Sequence, residues 1–161
     1  MYLIDTNVIS ELTKPAPSPA VMGWFASTSV QSIYISAVTL CEMQLGLALM
    51  PAGKRKSALK IATDALIQED FAQRCLSLDA RCTPLYGKLA ASQQQKDRAC
   101  SVEDAMIAAI ALTHQFTLVT RNTKDFEGID SLVLLNPWLS KTPKPKTARH
   151  EKQTIRPRLT P

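Results

Sequence analysis

The stretch YLIDTNVIS, residues 2–10, decides how the rest of the chain is read. Tyr2-Leu3-Ile4 is a short apolar run of the kind that fills a buried strand. It stops on a carboxylate, Asp5, and Thr6 and Asn7 follow before apolar spacing resumes at Val8 and Ile9. An acid at the end of a buried strand is costly unless it has a local or chemical use. The same arrangement recurs further along the chain.

SIYIS (32–36), TLVT (117–120) and SLVLL (131–135) read as further buried strands, and RCLSL (74–78) as a weaker one. Helical spacing covers 19–28, 39–50, 54–68, 80–95 and 102–114, with Pro51 and Gly53 separating the second from the third. Strands alternating with helices predict an α/β fold with a mainly parallel sheet.

On that pattern Glu42 falls in the first turn of the helix after the second strand, and Asp104 in the first turn of the helix at 102. Asn122 and Asp125 lie just past the strand at 117–120. Helices in such a fold run antiparallel to the strands, so helix starts and strand ends share the carboxyl edge, the usual place for a site. Each acid also has a local explanation. Thr39-x-x-Glu42 and Ser101-x-x-Asp104 fit a capping box, and Asp5 fits an Asx-turn or N-cap. Capping explains the acids one at a time but not why they share an edge.

Two carboxylates about 4 Å apart repel by roughly 4 kcal/mol at an effective dielectric near 20. Several together require protonation or a cation. Oxygen donors without a convergent His or Cys favour a hard ion, Mg²⁺ or Mn²⁺. The matching chemistry is phosphodiester hydrolysis by a metal-activated water. No G-x-x-x-x-G-K-[ST] loop is present, and no second Asp stands two residues after Asp5 as a phosphoaspartyl mechanism would require. Thr6, Asn7, Ser36, Thr39 and Thr120 are candidates to orient the acids, or to serve turns and caps. Arg121 and Lys124 flank Asn122 as phosphate contacts or as solvated surface charge. His114 reads as a cation at a helix C-terminus, and Trp24, Phe25 and Trp138 as packing residues.

The 161 residues suit one domain. The net charge of +5 is unevenly placed: Lys141, Lys144, Lys146, Arg149, Lys152, Arg156 and Arg158 face only Glu151 after residue 140, leaving twelve basic and thirteen acidic residues before it. Two segments are expected, a nuclease-like domain at 1–140 and a basic, proline-containing, disordered tail at 141–161. Cys41, Cys75, Cys82 and Cys100 lack C-x-x-C spacing and read as buried reduced thiols. No apolar run is long enough for a membrane span, and no signal peptide is evident, so a cytoplasmic location is expected.

LIDTNVIS (3–10), ISAVTLCEMQLGL (35–47), EDAMIAAIAL (103–112) and LVTRNTKDF (118–126) together resemble the PIN-domain nucleases, most closely the VapC and FitB branch of toxin–antitoxin ribonucleases. LLNPW (134–138) resembles the ending of that branch, and the likeness covers residues 1–139. The resemblance implies a three-layer α/β/α domain, Mg²⁺- or Mn²⁺-dependent cleavage of RNA, a small antitoxin partner, contact with DNA only through that antitoxin, and a homodimer. By position Asp5, Glu42 and Asp104 match the acidic triad. The fourth acidic position falls on Asn122, which brings no charge, and Asp125 is the candidate to replace it. The alternative is a module that binds nucleic acid or a partner without cleaving, within an antitoxin–DNA complex.

Overall fold

The computed structural model describes residues 1–95 and 101–139. The expected tail at 141–161, and Cys100, lie outside the described residues. Among these residues five short strands form one sheet: β1 (Tyr2–Ile4), β2 (Ile33–Ser36), β3 (Cys75–Leu76), β4 (Thr117–Val119) and β5 (Leu134–Leu135). Their order is β3-β2-β1-β4-β5, and every pairing is parallel. Tyr2 lies opposite Ile33 on one side and Thr117 on the other, which makes β1 the central strand. From β1 the chain first winds outward through β2 and β3, then returns to add β4 and β5 on the opposite flank. The direction therefore switches between β1 and β4.

Among the described residues six α-helices join the strands: α1 (Thr6–Leu12), α2 (Pro19–Ser27), α3 (Ala37–Leu49), α4 (Lys54–Ala65), α5 (Thr83–Gln95) and α6 (Val102–His114). Alternation along the strands divides the core into two layers. Ile4 and Val119 point to one face, where Val8, Ile9, Val21, Trp24 and Phe25 of α1 and α2 cover them. Leu3 and Leu118 point to the other, against Ile107–Ala111 of α6 and Cys82 just before α5. The result is the three-layer α/β/α arrangement, with Trp24 and Phe25 in the core as expected. Among the described residues no helix is long and apolar enough to cross a membrane.

Four expectations need correction. Thr6–Leu12 is a helix, although its seven residues were not predicted as one; Asp5 caps it through Thr6 N–H at 2.6 Å. The third helix starts at Ala37 rather than 39, because Ser36 caps it by accepting from Thr39 N–H at 2.9 Å. The stretch predicted as helix to residue 68 is α-helical only to Ala65 and continues as a wider π-helical turn, Leu66–Asp70. Finally, Cys41 and Cys75 are exposed and only Cys82 is buried, all three as free thiols. Cys75 stands on a two-residue edge strand with nothing beyond it in the sheet, and Cys41 is on the open side of α3.

Candidate active site

The end of β1 and the starts of α3 and α6 meet at the carboxyl edge of the sheet, beside the β1/β4 switch. Asp5 is only 4% exposed. Its Oδ1 accepts from Thr6 N–H, while its Oδ2 accepts from Asn7 Nδ2 at 2.8 Å and Thr120 Oγ1 at 2.7 Å. Asp5 N–H in turn donates to Val119 O at 3.0 Å. One carboxylate thus ties β1, α1 and the end of β4 together, and its orientation is fixed before any ligand arrives.

Glu42 is the sixth residue of α3 and so lies in its second turn. The capping-box explanation of Glu42 is thereby removed, since Ser36 is the cap and accepts from Thr39 N–H. Ser36 Oγ and Thr39 Oγ1 also bond one another at 2.9 Å rather than any carboxylate. Glu42 Oε2 accepts instead from Thr6 Oγ1 of the neighbouring helix. Thr6 therefore serves two acids, Asp5 with its backbone and Glu42 with its hydroxyl.

For Asp104 the local and the functional explanations both hold. Ser101 Oγ accepts from Asp104 N–H at 2.9 Å, and Asp104 Oδ2 accepts from Ser101 N–H at 3.4 Å, a complete capping box at the start of α6. Yet Asp104 also lies within electrostatic reach of Asp5 and Asp125. Burial pushes its carboxyl above the usual range; the Ser101 bonds pull the other way, and the negative charges of Asp5 and Asp125 add to the rise. Glu42 is raised likewise: burial first, opposed by the Thr6 hydroxyl, then reinforced by Asp5, Asp104 and Glu103. Glu103 was not singled out in the sequence. Its only signal was adjacency to Asp104.

Asn122 and Asp125 form a pair of their own. Asn122 Nδ2 donates to Asp125 Oδ2 across the short 3-10 turn Thr123–Phe126, and Asn122 N–H donates to Thr120 Oγ1 at 3.0 Å. Asn122 is thus joined to Asp5 through one hydroxyl, whereas Asp125 reaches the cluster by its charge. Lys124 is exposed. His114 occupies the last turn of α6, as expected, with its ring beside Phe116.

The donor set fits a hard divalent ion in kind. All candidate ligands are carboxylate oxygens, and Glu42 and Asp104 are destabilised as anions by burial and by the charge of neighbouring acids, a cost that a cation would relieve. Among the described residues no group of three acids, His or Cys is arranged to hold a metal ion.

The sequence profile described as PIN domain matches residues 2–132. The chain belongs to the PIN-domain family. Among curated PIN-domain relatives, it is 37% identical over 138 residues to VapC ribonuclease Y4jK of Sinorhizobium fredii, covering 86% of this chain and 98% of that one. It is 36% identical over 138 residues to Toxin FitB of Neisseria gonorrhoeae, covering 86% and 99%. Among solved PIN-domain structures, that of FitAcB from Neisseria gonorrhoeae superposes with a TM-score of 0.79 at 35% identity, covering 87% of this chain and 100% of that chain. The expected family and the three-layer parallel fold are both borne out.

Proposed function

We propose that this PIN domain is a metal-dependent endoribonuclease, the toxin of a toxin–antitoxin pair. The observation that carries the reading is the gathering of Asp5, Glu42 and Asp104 at one sheet edge, with Glu42 and Asp104 both raised by burial first and then by the charge of neighbouring acids, Asp5 among them. The similarity to a VapC ribonuclease and to Toxin FitB supports the substrate class and the biological role.

Asp5, Glu42 and Asp104 would hold a Mg²⁺ or Mn²⁺ ion, with Asp125 as the fourth carboxylate. When bound, such an ion makes water a better nucleophile and offsets the charge that develops on phosphorus. Thr6 and Thr120 keep Asp5 and Glu42 aimed, so little reorganisation is needed as the site fills. Asn122 orients Asp125 in place of carrying charge itself. Residues 1–140 form the catalytic unit, and the basic segment 141–161 adds a general attraction for RNA.

The partner follows from the charge of the site. An anionic pocket is most simply silenced by a cationic side chain, and the planar fork of Arg pairs with carboxylates in two bonds. The antitoxin is thus a small protein that places an Arg or Lys among Asp5, Glu42 and Asp104, reaching DNA on behalf of the pair. The PIN domain itself pairs as a homodimer.

Purified protein free of antitoxin should cleave total RNA with Mn²⁺ and lose that activity in EDTA. Cleavage should also stop when the small protein encoded beside it is co-purified. Equal cleavage in EDTA, or none under any metal, contradicts the proposal.

A further inference from the structure

The closing LLNPW stretch has no part in the acid cluster, yet its polar atoms are spent on the residue next to that cluster. Thr120, which bonds Asp5, is followed directly by Arg121. Asn136 Nδ2 donates to Arg121 O at 3.0 Å, and Asn136 Oδ1 accepts from Trp138 N–H at 3.0 Å. Trp138 packs against the core, and the Arg121 guanidinium lies over its ring, 5.4 Å from the centroid. Glu11 lies within electrostatic reach of Arg121. Burial raises the Glu11 carboxyl, but bonds from Lys14 and Ser18 N–H, and the charges of Lys14 and Arg121, bring it below the usual range. Those bonds occupy both Glu11 oxygens, at 2.6 Å and 2.7 Å.

Arg121 is therefore held in place without spending its donors. It is exposed, and among the described residues its side chain makes no hydrogen bond. A guanidinium fixed over an aromatic face, weakly hydrated and with its fork free, is suited to a phosphate. A pocket of carboxylates repels the backbone of its own substrate, so binding must come from cations at the rim.

We propose that Arg121, presented by Asn136 and Trp138, binds an RNA phosphate neighbouring the one aligned with Asp5, Glu42 and Asp104. The inference rests on the ribonuclease reading above. It gives the LLNPW stretch a function, as the support of a substrate contact.

The test measures binding of the full chain to a short fluorescent polyuridylate in EDTA, where metal-dependent cleavage is off, across a range of salt. Arg121→Gln should flatten the plot of log affinity against log salt by about 0.7, the share of one single-strand phosphate contact. Arg121→Lys should keep the wild-type slope but bind more weakly, because charge is retained and the fork is lost. Lys124→Gln, one turn away and unsupported, should leave both unchanged. A wild-type slope in Arg121→Gln, or an equal loss in Lys124→Gln, overturns the proposal. So does an unchanged RNA slope with lost binding of the co-expressed small partner, which would assign Arg121 to the protein interface. Failure of the wild type to cleave RNA with Mn²⁺ sinks the ribonuclease reading itself and is scored in a separate assay.

Discussion

Thr120 Oγ1 donates to Asp5 Oδ2 at 2.7 Å, joining residues 115 positions apart across the point where the sheet reverses its winding. The same hydroxyl accepts Asn122 N–H, so it stands between the central acid and the loop that bears Asn122 and Asp125. Both Asp5 and Thr120 are buried. Thr120→Val keeps the shape and removes both bonds. It should cost about 1–3 kcal/mol in urea unfolding, because a buried carboxylate oxygen loses a donor. It should also weaken Mn²⁺ activation by about 10–100-fold. Thr120→Ser should restore most of each. Wild-type values for Thr120→Val would show the bond to be incidental.

Thr6 permits a sharper separation of fold from site. Its backbone N–H caps through Asp5, and only its hydroxyl meets Glu42. Thr6→Val leaves the cap and releases Glu42, so the loss should be in the Mn²⁺ concentration for half-maximal activity, about 10-fold or more. Thr6→Ser should behave as wild type. A fall in melting temperature without a change in metal response would make Thr6 purely structural.

The corrected start of α3 makes opposite predictions for two of its residues. Ser36→Ala removes the actual cap and should destabilise the chain by about 1 kcal/mol. Glu42→Gln should leave the melting temperature unchanged or raise it, while abolishing cleavage. Loss of stability in Glu42→Gln would return Glu42 to a capping role.

Metal-free stability should depend on pH with a sign opposite to that of ordinary paired acids. Glu42 and Asp104 are raised in the folded state, so the folded chain holds their protons more tightly than the unfolded chain. Their contribution is complete below the unfolded carboxylate range and is lost as pH rises through it to the raised folded values. In EDTA, melting temperature should fall over that window, and the fall should shrink in the double variant Glu42→Gln, Asp104→Asn. Adding Mn²⁺ should reverse it in the wild type. A flat profile in EDTA would mean that burial and neighbouring charge do not hold Glu42 and Asp104 above the unfolded range.

Asp125 and Asn122 can be ranked in the same way. Asp125 reaches Asp104 by charge, whereas Asn122 brings no charge and donates its side-chain amide to Asp125. Asp125→Ala should weaken Mn²⁺ activation more than Asn122→Ala. The reverse order would give the fourth position to Asn122.

Much of this was legible in the sequence because it is local. Leu3 and Ile4 announce β1, and alternation of strand and helix announces the parallel sheet; Ser101-x-x-Asp104 is the capping box it looks like. The misreadings are local too. Thr39-x-x-Glu42 copies the spacing of a capping box, but Ser36, three residues earlier, takes Thr39 N–H first. Thr6–Leu12 is too short to show a helical period, and its start depends on Asp5, which chemistry had already claimed. Thr6 with Glu42 and Thr120 with Asp5 could not be paired from spacing, since only the folded sheet edge brings them together. Arg121 over Trp138 was hidden for the same reason.

In the proposed reaction the Asp5, Glu42 and Asp104 edge would hold a divalent ion that supports cleavage of RNA. This is tested most directly by following cleavage of one labelled RNA by wild type and Asp104→Asn, each titrated with Mn²⁺ after purification without partner. The expected result is saturable, EDTA-reversible cleavage by the wild type and none by Asp104→Asn, with the variant melting at or above the wild-type temperature in metal-free buffer. Cleavage by Asp104→Asn at the wild-type rate, or by either protein in EDTA, would contradict it.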